Sequence, residues 1–217
     1  MARSRSSRRW LDEHFKDPYV RRAQSEGTRS RAAYKLEELL ERDRLVRPGM
    51  IVVDLGAAPG GWTQTLQRML GGRGRVIALD ILPMPPVAGV AFIHGDFREQ
   101  ETLSRLEAAL GGDAVDLVLS DMAPNISGVD AVDQPRAMAL VELARDFAQA
   151  HLREGGALVT KMFQGQGSDA YLKDLRTRYG KVHVRKPAAS RRRSSEVYVV
   201  ATGRKGPMTG RAGTGTA

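Results

Sequence analysis

The 217 residues carry 34 Lys and Arg against 25 Asp and Glu, a net charge of +9, with 41% hydrophobic residues and no cysteine. That length suits one domain with a sizeable core, and no apolar run approaches the ~18 residues of a membrane span. The lack of cysteine excludes a disulfide scaffold, an iron–sulfur cluster and a thiolate zinc site. Divided along the chain, the net charge is +6 over residues 1–35, −5 over 36–180 and +8 over 181–217. An acidic body with two basic ends is the pattern of a catalytic domain held on a polyanion. Solvated tails are the plainer alternative for either end taken alone.

Residues 1–9, Met-Ala-Arg-Ser-Arg-Ser-Ser-Arg-Arg, read as a disordered basic arm. No apolar stretch of a secretory signal follows, and Asp12, Glu13 and Asp17 weigh against a transit peptide, so a cytoplasmic protein is expected. The pattern from Trp10 to about Arg44 is helical, with Ser30 as expected N-cap of a helix through Ala33, Leu36, Leu39 and Leu40. Pro48-Gly49 breaks the chain, after which strands and helices alternate. Strands are expected at Met50–Leu55, Arg75–Asp80, Val90–His94, Val115–Ser120, Ala157–Met162, Lys181–Arg185 and Glu196–Ala201. Helices are expected at Thr63–Leu70, Thr102–Leu110, Pro135–Leu152 and Ala170–Tyr179. Continuous apolar strands separated by helices imply an α/β fold with a mainly parallel, seven-stranded sheet covered on both faces. The last two strands, with no helix between them, imply an antiparallel hairpin at one edge. Residues 10–205 are expected to form a single domain with a helical extension over 10–45, and 206–217, rich in Gly and Thr, a disordered tail.

The segment Val52-Val-Asp-Leu-Gly-Ala-Ala-Pro-Gly-Gly-Trp-Thr63 sets a Gly-rich turn between a buried strand and a helix. This is the carboxyl edge of the sheet, where open α/β folds bind ligands. Gly56, Gly60 and Gly61 let backbone approach a ligand closely. The spacing G-x-x-x-G-G is not the G-x-G-x-x-G of dinucleotide folds, and no Gly-Lys-Ser/Thr of a phosphate loop follows. Asp80 closes the second strand, where a carboxylate can accept both hydroxyls of a ribose. Asp96, in His94-Gly-Asp-Phe97 after the third strand, is placed to meet an adenine amino group. Singly, each acid reads as a solvated loop carboxylate. In order at three strand ends with the Gly loop, they outline a nucleoside site without a phosphate loop, for which S-adenosylmethionine is the natural occupant.

Asp121 ends the fourth strand in Leu119-Ser-Asp-Met-Ala-Pro-Asn125, and Lys161 ends the fifth in Leu158-Val-Thr-Lys-Met-Phe-Gln-Gly165. A lysine closing an apolar strand is either a snorkelling surface residue or a desolvated ammonium paired with Asp121. Five motifs stand in order: Arg29-Ser-Arg-Ala-Ala-Tyr-Lys35, Val53-Asp-Leu-Gly-Ala-Ala-Pro-Gly-Gly-Trp62, Ser120-Asp-Met-Ala-Pro-Asn125, Lys161-Met-Phe-Gln-Gly165 and Arg193-Ser-Ser-Glu-Val-Tyr198. Together they resemble the FtsJ family of RNA 2′-O-ribose methyltransferases, over roughly residues 8–205. The resemblance implies a Rossmann-like, S-adenosylmethionine-dependent methyltransferase fold. It implies a Lys-Asp-Lys-Glu tetrad at Lys35, Asp121, Lys161 and Glu196, and cofactor contacts at Gly60, Trp62, Asp80, Asp96 and Asp121. The substrate it implies is a uridine ribose in the A-loop of 23S rRNA, modified on the assembled large ribosomal subunit.

Methyl transfer to a ribose hydroxyl is an in-line displacement at an activated sulfonium methyl, so the weak partner is the hydroxyl. Lys161 serves it either as proton acceptor or as an orienting ammonium that stabilises developing alkoxide. Arg29 and Arg31 before Lys35, and Arg191, Arg192 and Arg193 before Glu196, put phosphate-binding charge beside these groups. His14, His94, His151 and His183 lack ligand spacing, so no metal is expected; a monomer without a membrane segment is. Three rivals stand: a tRNA ribose methyltransferase of the same family, a base amino-methyltransferase suggested by Asp121-Met-Ala-Pro, and a catalytically silent RNA-binding assembly factor.

Overall fold

The computed structural model describes residues 18–191 and 193–206. The expected arm over 1–9, the start of the helical extension before Pro18, Arg192 and the tail beyond Gly206 lie outside them. In the described residues two helices come first, α1 (Pro18–Ser25) and α2 (Ala32–Arg42). The alternating part follows as β1 (Ile51–Leu55), α3 (Gly61–Leu70), β2 (Arg75–Asp80), β3 (Val90–His94), α4 (Gln100–Leu110), β4 (Val115–Ser120), α5 (Asp130–His151), β5 (Leu152–Phe163), α6 (Ser168–Arg178), β6 (Tyr179–Arg185) and β7 (Glu196–Arg204).

The strands form one sheet in the order β3-β2-β1-β4-β5-β7-β6. β1 to β5 are mutually parallel, and β7 runs antiparallel to both β5 and β6. The expected hairpin is therefore present, but its second strand is inserted beside β5 and leaves β6 as the edge. Because alternate strand residues point to opposite faces, the largely apolar runs of the central strands bury both sides. Val53, Ile77, Val118 and Leu158 pack under α4, α5 and α6, while Val52, Val76, Leu117 and Val159 pack under α2 and α3. Chain direction across the sheet reverses between β1 and β4, and the crevice outside their carboxyl ends is where such sheets receive ligands.

Several boundaries differ from expectation for tertiary reasons. The N-terminal helical pattern is split at Gly27, whose φ of +67° closes α1. Arg31 occupies the N-cap position of α2, yet the Ser30 hydroxyl still accepts the Ala32 amide at 3.1 Å. Helix α5 starts at Asp130, ahead of Pro135. Its first turn is held by Asp133, which accepts the Ser127 and Gly128 amides, and by Gln134, which donates to the Phe163 and Gln166 carbonyls. No helix of the described residues is long and apolar enough to cross a membrane.

Candidate active site

The turn after β1 is shaped by glycine where a side chain has no room. Gly56 has φ +78°, and a Cβ there would stand 2.7 Å from the Met122 amide nitrogen, so the β1 and β4 loops touch through backbone. The Gly56 and Ala57 amides both donate to Leu79 O, at 2.9 and 3.1 Å, and the Asp121 amide donates to Leu55 O at 2.9 Å. Asp80 accepts the Ala58 amide at 2.8 Å through one oxygen and the Leu82 amide at 2.7 Å through the other. A carboxylate accepts about four hydrogen bonds, so Asp80 both ties the turn down and keeps acceptor capacity. Next to it Ile81 and Leu82 are 56% and 60% exposed, an apolar surface left out of the core at the ligand edge. Asp96 lies across from them after β3, its carboxylate held as the anion by Arg98, whose Nη2 approaches to 2.5 Å.

Asp54, the fourth residue of β1, is fully buried. One oxygen accepts the Thr63 hydroxyl at 2.7 Å, and the other has no partner among the described residues. Burial pushes this carboxyl up to about 7 against the Thr63 bond, helped by the charges of Asp121 and Asp80. Trp62 is buried, and its indole N–H is spent on Ala32 O at 2.8 Å. Its ring centroid lies 5.7 Å from that of Tyr198, so the side chain joins the glycine turn to α2 and the tetrad.

The four tetrad residues come from α2, the end of β4, β5 and β7 and meet as two largely buried ion pairs. Lys35 Nζ lies 2.6 Å from Glu196 Oε1, the side chains 11% and 15% exposed; Lys161 Nζ lies 3.1 Å from Asp121 Oδ1, at 10% and 21%. Lys161 also donates to the Asp121 carbonyl at 2.5 Å. It is not a snorkelling surface lysine. Its place follows from register: Lys161 is paired directly with Tyr198, and Phe163 with Glu196, which sets Lys161, Tyr198 and Glu196 on one face. Burial works to raise the Glu196 carboxyl, but the charge and hydrogen bond of Lys35, the charge of Lys161 and the Ser190 hydroxyl outweigh it and hold it low.

Two residues of this network were not read from the sequence. Tyr198 donates its hydroxyl to Asp121 Oδ1 at 2.9 Å, and the Lys35 ammonium stands 5.8 Å from its ring centroid. Ser190 donates to Glu196 Oε1 at 3.0 Å. The two-residue spacing of Glu196 and Tyr198 on a strand was a usable signal for the tyrosine; Ser190 reaches the site through a loop and carried none. The arginines before Lys35 are not presented as free phosphate ligands. Arg29 donates to the Pro85 and Pro86 carbonyls, and Arg31 to Ala189 O at 2.9 Å.

The donor set suits an adenosine bearing a charged amino-acid end. Asp80 has acceptor capacity for ribose hydroxyls, Ile81 and Leu82 offer exposed apolar surface, Asp96 follows the neighbouring strand, and the Gly56–Gly60 turn carries glycine at both ends. Among the described residues no group of three or more histidines and carboxylates could hold a metal ion.

A parallel sheet with an inserted antiparallel strand, a glycine turn at the switch point and strand-end acids define the Rossmann-like methyltransferase class. Within that class the chain belongs to the FtsJ-like methyltransferases, whose family model matches residues 28–204. It is 67% identical over 204 residues to the ribosomal RNA large subunit methyltransferase E of Xanthomonas campestris pv. campestris strain B100, covering 94% of this chain and 97% of that one. The protein of the same name from Xanthomonas oryzae pv. oryzae strain PXO99A matches with the same identity and coverage. Among solved structures, one from Plasmodium falciparum described as a ribosomal RNA methyltransferase superposes with a TM-score of 0.75 at 27% identity, over 82% of this chain and all of that one. The MycE methyltransferase of the mycinamycin pathway, solved with S-adenosylhomocysteine, shares the fold, with a TM-score of 0.52 at 19% identity over 77% of this chain and 48% of that one.

Proposed function

We propose that this methyltransferase acts on the 2′-hydroxyl of a uridine ribose in the A-loop of 23S rRNA, on the assembled large ribosomal subunit, as a cytoplasmic monomer using S-adenosylmethionine. The observation that carries the reading is the two largely buried ion pairs, Lys35–Glu196 and Lys161–Asp121, beside the glycine turn at the sheet edge. The names of relatives 67% identical over nearly the whole chain support the large-subunit target.

S-adenosylmethionine supplies an activated sulfonium methyl when bound. Asp80 and Asp96 would hold its ribose and adenine, and the Gly56–Gly60 backbone would line it. The remaining work falls on the hydroxyl. Two of the tetrahedral positions of Lys161 Nζ face the carbonyl and carboxylate oxygens of Asp121, which leaves one for the substrate oxygen. As an amine the lysine offers a lone pair there and takes the proton; as an ammonium it offers an N–H and steadies developing alkoxide. Tyr198 holds Asp121 in place, and Lys35 keeps Glu196 charged in the same cluster. Two cations and two carboxylates neutralise one another, which makes their burial tolerable.

The test is transfer of tritiated methyl from S-adenosylmethionine to unmodified large subunits, followed by digestion to nucleosides. The expected product is 2′-O-methyluridine in 23S rRNA. Label in tRNA, or on a base amino group, overturns the reading.

A further inference from the structure

Arg29 is the residue whose place departs furthest from its sequence reading. It precedes α2, and its own amide donates to Gln64 Oε1 at 3.2 Å. Its guanidinium crosses the cofactor turn: Nη1 donates to Pro85 O at 2.5 Å and Nη2 to Pro86 O at 2.7 Å. The stem lies along Gly60, where a Cβ would stand 2.7 Å from Arg29 Nη1, 3.1 Å from its Cδ and 2.9 Å from Met84 Sδ. Gly60 has φ +102°, so a side chain there would be strained as well as crowded by these two side chains. The two prolyl carbonyls take two of its five N–H donors, and it makes no ion pair with a carboxylate among the described residues. A full positive charge is thus pinned against the cofactor turn by partial charges only.

The charges of the ligand say what such a cation is for, given the cofactor reading above. S-adenosylmethionine carries two positive groups, the sulfonium and the α-ammonium, and one negative group, the α-carboxylate. Asp80 and Asp121 stand at the ends of their strands and favour the positive groups there. The carboxylate must lie away from those acids, and the Gly60 side is where a guanidinium waits with unused donors. We propose that Arg29 binds the α-carboxylate of the cofactor's amino-acid end and so selects for that end, while its carbonyl bonds hold the Pro85–Pro86 segment against the same turn.

Calorimetry on the full chain tests this with S-adenosylhomocysteine and 5′-methylthioadenosine, which share the adenosine and thioether but differ in the amino-acid end. Arg29→Met keeps the length of the stem and removes the charge. It should weaken S-adenosylhomocysteine about 10- to 100-fold, the scale of a charge-assisted hydrogen bond, and leave 5′-methylthioadenosine within about twofold. Arg29→Lys should recover part of the lost affinity, because the charge returns without the fork. Equal weakening of both ligands would show that Arg29 acts only as a latch on the Pro85–Pro86 segment, and no weakening of either would remove it from the site; both results overturn the proposal. If the wild-type chain binds neither ligand, the cofactor reading itself fails, and the proposal falls with it.

Discussion

At Lys161 the question is what occupies the fourth position around one nitrogen. Lys161→Ala should abolish methyl transfer and leave cofactor affinity largely unchanged, because among the described residues the side chain bonds only to Asp121. Lys161→Arg keeps a charge that essentially never deprotonates. If the lysine is the base, the arginine variant is as inactive as alanine, and the wild-type rate rises with pH; if it orients, arginine retains part of the activity with a flat profile. Single-turnover rates of the three proteins across pH, on large subunits, read the difference, and wild-type activity in Lys161→Ala would dismiss the residue altogether. Asp80 is the corresponding point on the cofactor side. It bonds two backbone amides that fold the turn, so Asp80→Ala removes ribose acceptors and loosens the loop together. Its loss should weaken S-adenosylmethionine by about 1–3 kcal/mol, the cost of stranding hydrogen-bond partners, as titration calorimetry would show; unchanged affinity takes Asp80 out of the site.

Among the elements, the loop between β6 and β7 decides how the RNA side is built. Arg185 at the end of β6 pairs with Asp43 at 2.8 Å, beyond the end of α2, and the Ala188 amide donates to Glu38 at 2.7 Å. The loop is thereby pressed on the helix that carries Lys35, and the arginines at 191–193 follow directly, just ahead of Glu196. Phosphate contacts from such a loop position RNA without reading its sequence. Replacing Arg191, Arg192 and Arg193 together by alanine should flatten the salt dependence of RNA affinity by up to about three phosphate contacts. Cofactor affinity should not move. A salt slope identical to that of the wild type would mean that the loop points away from the substrate.

For the molecule as a whole, the buried acids set how stability follows pH. The folded-state pKa of Asp54, about 7, lies above the unfolded one, which is about 4. Between those values the folded chain keeps a proton that the unfolded chain has released, so this group lowers stability as pH rises through that window and is level above it. Glu196 has the opposite sign: its pKa is lowered, so its stabilisation is present above the ordinary carboxylate range and fades as pH falls through the lowered value. Asp54→Asn cannot ionise. Urea unfolding of the cofactor-free protein should therefore show the variant gaining on the wild type between pH 5 and pH 8. A stability difference that stays constant across that range would mean Asp54 ionises normally in the fold.

The strands and the glycine turn were legible in the sequence because each rests on local chemistry, whereas the four tetrad positions came from the resemblance of ordered motifs to a family. Short, β-branched, largely apolar runs such as Val52–Leu55 and Val115–Ser120, bounded by turn residues, read as buried strands, and a turn with glycines at 56, 60 and 61 lets backbone approach closely. The ordered motifs marked Lys35, Asp121, Lys161 and Glu196 before any distance was known. What chain order could not supply was every contact made across the sheet or between loops. β7 slots between β5 and β6 because an antiparallel strand there buries both faces, and that insertion alone brings Tyr198 opposite Lys161. Helix α5 runs through Pro135 because Gln134 and Asp133 bond outside the helix, which local propensity does not count. Arg29 reads as one more basic residue in an Arg-rich stretch, and only the fold shows its guanidinium lying on Gly60 between the cofactor turn and two prolyl carbonyls. Sequence patterns report what a residue is and how its neighbours repeat; the partner of a long side chain depends on which distant backbone the packing delivers to it.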